Sequence, residues 1–546
     1  MTRTLFTLGL IACFAQPLVA QVTFERLLNA ADEPQNWLTY SGNYDSTRHT
    51  ALEQITTDNV DSLELQWVFQ QTQSLQVFQT TPLVVDGIMY LTEAPNTVVA
   101  LDAERGRVFW RYEYTPSNLS RPCCGRVNRG VAILGDTLFM GTIDAKLIAI
   151  DAISGEPIWQ TDVADPAAGY ALTLSPLIVK DKVIVGIAGG EYGIRGFISA
   201  YDVNTGEEAW KFYTIPGPGE PGHETWQDDD WMYGGASAWI TGSYDPDTDL
   251  VYWGIGNPGP DWNPEQRPGD NLYSDSVVAL DPDTGELEWY FQFTPNDPYD
   301  YDSVQVPVLI DYPAQDGSML KLMLFGNRNG FFYILDRATG RFINGEPYID
   351  LNWAEGLDDA GRPIFTPQPP GTTTYPGVQG GTNWYSPSYS PSTRLFYMST
   401  WENNGSNFEA QEAEYEPGRT FLGGRPAPPV PGAALPNLAR GPINTWTESA
   451  GTGAVKALDP ATGEERWKFP MTDVTTSGIL TTATDVLFTG GREGYFHALD
   501  ARNGDLLWRQ TLGGMIANGP ISYSIDGRQY VAAASGNALF VFALEQ

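Results

Sequence analysis

Oxygen-bearing side chains follow apolar runs at two places in the chain and stand in an acidic, Pro-rich stretch at a third. GIAGGEYGIRG (186–196) ends an apolar stretch in the carboxylate of Glu191, GIGNPGPDWN (254–263) places Asn257 after another, and TPNDPYDYDS (294–303) supplies Asp300. Taken singly, each reads as a surface acid or a turn asparagine. Taken together, two carboxylates and an amide oxygen make a hard-cation donor set, suited to Ca²⁺ and not to zinc or copper. A different chemistry is offered by RPCCGRV (121–127), where Cys123 and Cys124 are adjacent in a chain with one other cysteine, Cys13. In an oxidising compartment such thiols can bond each other, bond another molecule or stay free. With three histidines and no Cys-x-x-Cys-His in the sequence, neither a zinc cluster nor a c-type haem fits.

The N-terminus bears on the cysteines. Arg3, an apolar run from Leu5 to Phe14 and the small-residue site Leu18-Val19-Ala20 read as a secretory signal, residues 1–20, cleaved after Ala20. The rival reading is a lipoprotein-type site with Cys13 lipidated. Cleavage would leave residues 21–546 with only the adjacent pair. No later segment approaches the ~20 apolar residues of a membrane span. The expectation is a soluble, periplasmic protein. Its net charge of −36, from 67 acidic and 31 basic residues, serves solubility or steers a basic partner; nucleic acid and anionic membrane are poor partners for it.

The elements that must hold these residues repeat. An apolar residue, Asp, turn residues, Gly and then a Trp four positions on recur as LDAERGRVFW (101–110), IDAISGEPIW (150–159), YDVNTGEEAW (201–210), LDPDTGELEW (280–289), LDPATGEERW (458–467) and LDARNGDLLW (499–508). LDRATGRFIN (335–344) is a degenerate copy. Each Asp-to-Gly stretch predicts a hairpin turn, with Asp bonding its own backbone and Gly supplying φ > 0. The apolar runs before them predict strands. Short strands at this period indicate a propeller. Seven phrases and two weaker turns, YDPDTDLVYW (244–253) and YSPSTRLFYM (389–398), predict an all-β, eight-bladed β-propeller of one domain, its last blade closed by a strand near residues 64–70. Two Pro-, Gly- and acid-rich excursions, 212–234 and 402–447, should cover one face or line its entrance.

The Trp-bearing repeat resembles that of pyrroloquinoline quinone (PQQ)-dependent alcohol dehydrogenases, the family of methanol and ethanol dehydrogenases, over nearly all of residues 21–546. CCGRVNRG (123–130) resembles the family's adjacent-cysteine ring, which implies a Cys123–Cys124 disulfide against one face of PQQ. Consecutive Cα atoms lie about 3.8 Å apart, whereas ordinary disulfides span roughly 4.4–6.8 Å, so such a ring needs surroundings that hold it. The resemblance further implies Arg129 on a PQQ carboxylate, Thr173, Gly189, Gly190, Asn383 and Trp384 around the cofactor, Trp239 as its floor and Arg328 near the reacting carbonyl. Gln79 stands where the family tends to carry Glu, keeping an acceptor and losing a charge.

By the same resemblance, Glu191 and Asn257 coordinate a metal and Asp300 lies beside both metal and substrate hydroxyl. Asp302, two positions after Asp300, matches members that use a lanthanide. A trivalent ion favours one more anionic donor, so a lanthanide is expected, with Ca²⁺ the alternative. An acid paired with a nearby base is the plainer reading of Asp302. The implied function is oxidation of primary alcohols to aldehydes, with metal-assisted hydride transfer to PQQ, Asp300 as base and electrons passed to an external periplasmic cytochrome c. A homodimer is admitted. The alternatives weighed are a PQQ enzyme acting on a polyol, polymer or amine-like substrate, and a non-catalytic propeller scaffold.

Overall fold

The computed structural model describes residues 21–72, 76–314, 316–369, 371–429 and 451–545. The signal-peptide reading and the later part of the second excursion lie outside them. Eight sheets, each with four antiparallel strands, follow one another along the chain, and in the seventh His49–Thr50 adds a fifth strand parallel to Leu480–Thr482. Their first strands are Leu83–Val85, Ala132–Leu134, Leu177–Val179, Ser243–Asp245, Val308–Pro313, Ser388–Ser390, Leu480–Thr482 and Ile521–Ile525. Seven sheets are plain meanders. The eighth takes its fourth strand from Leu63–Gln70, which pairs with Ala538–Leu544 in the register Leu63↔Leu544 to Gln70↔Ala538. The N-terminal segment thus closes the ring, as the sequence predicts. Burial grades outward: Leu83–Val85 is buried throughout, while the fourth strand of that sheet, Val108–Glu113, is exposed or half-exposed along its length.

The repeat phrase joins neighbouring blades. Each Asp-to-Gly turn links a blade's third and fourth strands, and its Trp lies on the fourth. Trp110 packs on the Gly155 turn of the following blade and donates its indole N–H to Ala152 O at 3.2 Å; Trp159 reaches Val203 O at 3.1 Å and Trp210 reaches Pro282 O at 2.9 Å. The degenerate copy reaches the next turn without the ring and at a different carbonyl, since Asn344 Nδ2 donates to Thr462 O at 3.0 Å. Glycine is required here by closeness as well as by conformation. A Cβ on Gly285 (φ +73°) would lie 2.5 Å from the Trp210 ring, whereas one on Gly87 (φ +83°) would meet nothing within 4 Å. Gly87→Ala is therefore expected to lose about 1–2 kcal/mol for its left-handed backbone, and Gly285→Ala a further ~1–3 kcal/mol of overpacking. Equal losses in denaturant unfolding would contradict the docking account.

The blade count is right, but two of its markers are not what the sequence reading took them for. The turns in 244–253 and 389–398 join the first and second strands of blades already marked by 280–289 and 458–467. The seven phrases mark seven blades. The eighth carries none because its fourth strand arrives from the other end of the chain and no turn connects the two.

In such a meander the entry to the first strand and the link from second to third strand lie at the same edge of every blade. All long segments occur there: 214–242, 255–275, 348–387 and 403–451. The fourth, between the second and third strands of the sixth blade, contains the hairpin Asn407–Ala410 with Gly424–Ala427. The third, with its hairpin Ala354–Leu357 and Pro363–Phe365, adds to the two excursions expected. The opposite edge carries short turns, and the N-terminal segment lies against two of them through Arg26 on Asp86 and Val22 on Gly135. Among the described residues no helix is long and apolar enough to cross a membrane.

Candidate active site

Every residue singled out for chemistry lies on the edge with the long segments. Gln79, Arg129, Thr173, Trp239, Asp300, Asp302, Asn383 and Trp384 stand in segments entering first strands; Glu191, Asn257 and Arg328 follow second strands. The repeat delivers loop ends of different blades to one side, so residues far apart in sequence meet there.

Arg328 holds the two aspartates. Its Nη1 donates to Asp302 Oδ2 at 2.7 Å and its Nη2 to Asp300 Oδ2 at 3.3 Å, while Nε reaches Val378 O at 3.2 Å. Asp302 thus has the basic partner of its plainer reading. Its other oxygen, Oδ1, accepts the backbone N–H of Asn257 at 3.1 Å and so ties two of the proposed metal loops together. Gly256 makes room for that contact, since a Cβ there would come 2.2 Å from Asp302 Oδ1. Asp300 has left-handed backbone, φ 62°. The preceding Asp297 carboxylate secures it by accepting the N–H of Tyr299 at 2.8 Å and of Tyr301 at 2.6 Å. Asp297 was not singled out from the sequence. A signal for it existed, because an Asp two residues before a tyrosine in an Asp- and Pro-rich turn is a side-chain-to-backbone cap.

Glu191 sits on the short turn Gly190–Tyr192, entered through Gly189 at φ 124°. Burial raises its carboxyl to about 7, with the neighbouring Asp302 adding to the rise. Burial likewise holds the Asp300 carboxyl well above the usual range, against the pull of Arg328. Buried acids in this number need cations, and Arg328 is shared between two of them.

Cys123 and Cys124 are disulfide-bonded, with Cα atoms 3.8 Å apart. Cys124 Sγ lies 3.7 Å from Glu191 Oε1. The two sulfurs and Glu191 are close enough to suggest a metal cluster, yet a disulfide offers no thiolate and thiolate is the ligand. The bridge is instead a neighbour of the oxygen site.

A second group lies around Arg129. Its guanidinium lies over the rings of Trp239 at 5.1 Å and Trp384 at 4.7 Å, and Nη1 donates to Thr173 O at 3.2 Å. Arg129 is 5% exposed, burial lowers its pKa to about 10, and Nε is buried without an acceptor. A buried guanidinium without a carboxylate calls for an anionic ligand. Gln79 Oε1 is also buried and unpartnered. Asn383 accepts the Trp384 N–H at 2.9 Å and donates to Gln379 O at 3.2 Å. The segment from Val378 to Trp384 therefore touches Arg328 at one end and Arg129 at the other. These residues fit a flat, polyanionic cofactor beside a hard cation.

Comparison with known proteins decides the family. Residues 37–345 match the model of the glucose/ethanol/alcohol dehydrogenase β-propeller domain that carries PQQ's name, and the quinoprotein alcohol dehydrogenase PedH of Pseudomonas putida is 37% identical over 98% of this chain and 92% of its own length. The chain belongs to the PQQ-dependent alcohol dehydrogenases. Within the family, it is also 36% identical to the lanthanide-dependent methanol dehydrogenase of Methylacidiphilum fumariolicum, over 94% of this chain and 86% of that one. A europium-containing methanol dehydrogenase has the same fold, with TM-score 0.87 and 34% identity over 95% of this chain and 100% of the other. Residues 451–545 match the model of outer membrane protein assembly factor BamB. That stretch holds blade repeats and none of the site residues above, so it reports scaffold.

Proposed function

We propose that this protein is a periplasmic dehydrogenase that oxidises small primary alcohols to aldehydes, holding PQQ and a lanthanide ion in the site described. The observation that carries the reading is the adjacency of an oxygen-rich acid cluster to a buried arginine with no carboxylate of its own. Arg129, Thr173, Gln79, Asn383 and Trp384 would hold PQQ, with Trp239 and the Cys123–Cys124 ring on its faces. Glu191, Asn257, Asp300 and Asp302 would hold the ion; three carboxylates suit a trivalent charge, with Ca²⁺ the alternative. When bound, PQQ accepts a hydride from the alcohol carbon and the ion acts as a Lewis acid.

The chain's own part is proton handling and orientation. Asp300 Oδ2 faces Arg328, so Oδ1 is left to take the proton from the alcohol hydroxyl as general base. Arg328 fixes that carboxylate, and Asp297 fixes the backbone on both sides of it. The described part of the 402–447 excursion covers the metal loops: Phe421 N–H donates to Glu191 O at 2.7 Å, and Tyr415 stacks on Tyr233 at 4.7 Å. This cover favours a small alcohol over a polymer. Metal-free protein loaded with PQQ and either La³⁺ or Ca²⁺ should oxidise methanol, ethanol or longer alcohols with a dye acceptor. No activity with any of them would overturn the reading.

Two further outcomes follow from charge. Below about pH 7 Glu191 carries a proton in the metal-free protein, and its folded pKa lies above the ordinary 4.5. The folded state then binds more protons than the unfolded one between about 4.5 and 7, so this group's contribution to stability falls as pH rises through that window. A cation reverses the penalty. The melting shift caused by added La³⁺ is therefore expected to grow from about pH 5 to about pH 8; a constant shift would contradict Glu191 as a ligand. The second outcome concerns the electron acceptor, a periplasmic cytochrome c with a basic face. A net charge of −36 predicts that its reduction slows as ionic strength rises, and a flat response would remove the steering argument.

A further inference from the structure

Between Asp300 and Asp302 the chain buries a tyrosine. Tyr301 is fully buried, and its ring packs 5.1 Å from Tyr299 and 5.5 Å from Trp353 between centroids. Phenylalanine would fill the same space, so the hydroxyl is what calls for a reason. A buried tyrosine hydroxyl is normally bonded, and this one donates to Pro376 O at 2.6 Å. Tyr397 and Tyr523 make the same kind of bond, to Ala501 O at 2.9 Å and Ala103 O at 2.7 Å, but those join neighbouring blades at the edge opposite the site. The Tyr301 bond goes instead to the segment that holds Arg328.

Pro376 lies two residues before Val378, whose oxygen accepts Arg328 Nε at 3.2 Å. Arg328 in turn donates to Asp302 Oδ2 at 2.7 Å and to Asp300 Oδ2 at 3.3 Å. The bonds therefore close a circuit, from the two aspartates through Arg328 and residues 376–378 to the Tyr301 hydroxyl, and back along the chain. Residues 375–378 are also fixed from outside it. Tyr375 N–H donates to Asn352 Oδ1 at 2.8 Å, Gly377 N–H to Asn404 O at 2.6 Å and Val378 N–H to Ser406 Oγ at 3.2 Å. This strip is a fixed reference, and Tyr301 ties the aspartates to it. Without the hydroxyl, Arg328 has to follow either Val378 or the aspartates. Its bond to Asp300 is the longest of the circuit and the first to open.

We infer that Tyr301 is a positioning residue for alcohol oxidation: its hydroxyl holds the Asp300 carboxylate and the Arg328 guanidinium in one frame, so that the second oxygen of Asp300 meets the substrate hydroxyl. This inference rests on the reading of Asp300 as base and deepens it. A misplacement of about 1 Å at a reacting group costs about 10²-fold in rate.

The test uses the full-length protein as wild type, Tyr301→Phe and Tyr523→Phe, each substitution removing one buried hydroxyl. With saturating PQQ and La³⁺, Tyr301→Phe is expected to lower kcat about 10–100-fold with little change in KM, and Tyr523→Phe to keep the wild-type kcat. Both should lose melting temperature by similar amounts, because each breaks one buried bond to a backbone oxygen. In protein free of metal and PQQ, amide hydrogen exchange is expected to quicken in 299–303 and 375–380 of Tyr301→Phe alone. A merely structural role predicts equal melting losses with wild-type kcat in both variants, and that result would overturn the inference. So would a fall in kcat with exchange unchanged, since the loss would not then come from the frame. Ser406→Ala loosens the strip from its other side and is expected to lower kcat in the same direction; it decides the matter if Tyr301→Phe does not fold. Wild-type protein without activity would instead defeat the reading of Asp300 on which the inference stands.

Discussion

Asp300→Asn is expected to lower kcat for alcohol oxidation by about 10²–10⁴-fold. The amide has the same shape and cannot take the hydroxyl proton. Arg328 keeps its 2.7 Å bond to Asp302 and its bond to Val378 O, so the surrounding loops retain their ties. The Arg129 group, which contacts Trp239, Trp384 and Thr173, is untouched. PQQ content after reconstitution should therefore stay near wild type while turnover collapses. The variant also removes one anionic oxygen from the ion's donor set, so metal content is measured alongside and saturating metal is used. Near-normal kcat under those conditions would remove Asp300 from the role of base.

Asp302→Ala carries the second large effect. The wild-type carboxylate joins the Asn257 backbone to the Arg328 guanidinium, and in the proposed site it would supply the charge that separates a trivalent from a divalent ion. Outer-sphere groups already change metal affinity by about 10–100-fold, and loss of a direct anionic donor is expected to exceed that. La³⁺-supported activity should fall below detection at ion concentrations that saturate the wild type, while Ca²⁺ supports activity at least as well as before. Arg328 is left sharing one aspartate instead of two. The site then comes closer to the two-carboxylate, one-amide set of Glu191, Asn257 and Asp300, which is hard but less anionic. A variant that keeps its La³⁺ activity would show that Asp302 serves Arg328 alone.

The architecture was legible because it is written seven times. A turn needing Asp and Gly, followed by an indole that must land on the next such turn, leaves a period that survives divergence, as Asn344 in the degenerate copy shows. The closing strand was legible for the same reason: the eighth blade lacks a turn and needs a partner from elsewhere. Residues 244–253 and 389–398 misled because a hairpin turn looks alike wherever it falls in a blade, and only pairing reveals which strands it joins. In the site, Glu191 and Asn257 stood out as polar residues at the ends of apolar runs, and Asp300 through the resemblance to the family. Arg328 between two aspartates, and the contact of Arg129 with two tryptophans, depend on loops from different blades meeting. No local pattern records such contacts. Asp297 was missed because, in sequence, it is one more acid in a chain with 67. Its burial sets it apart, and burial at a loop end is decided by the neighbouring blades.

One measurement bears most directly on the account: the position of the lanthanide in crystals of protein reconstituted with PQQ and La³⁺, read from anomalous scattering. The account predicts a single strong peak among the side-chain oxygens of Glu191, Asn257, Asp300 and Asp302. A peak elsewhere, or none in protein that oxidises alcohol with La³⁺ present, would contradict it.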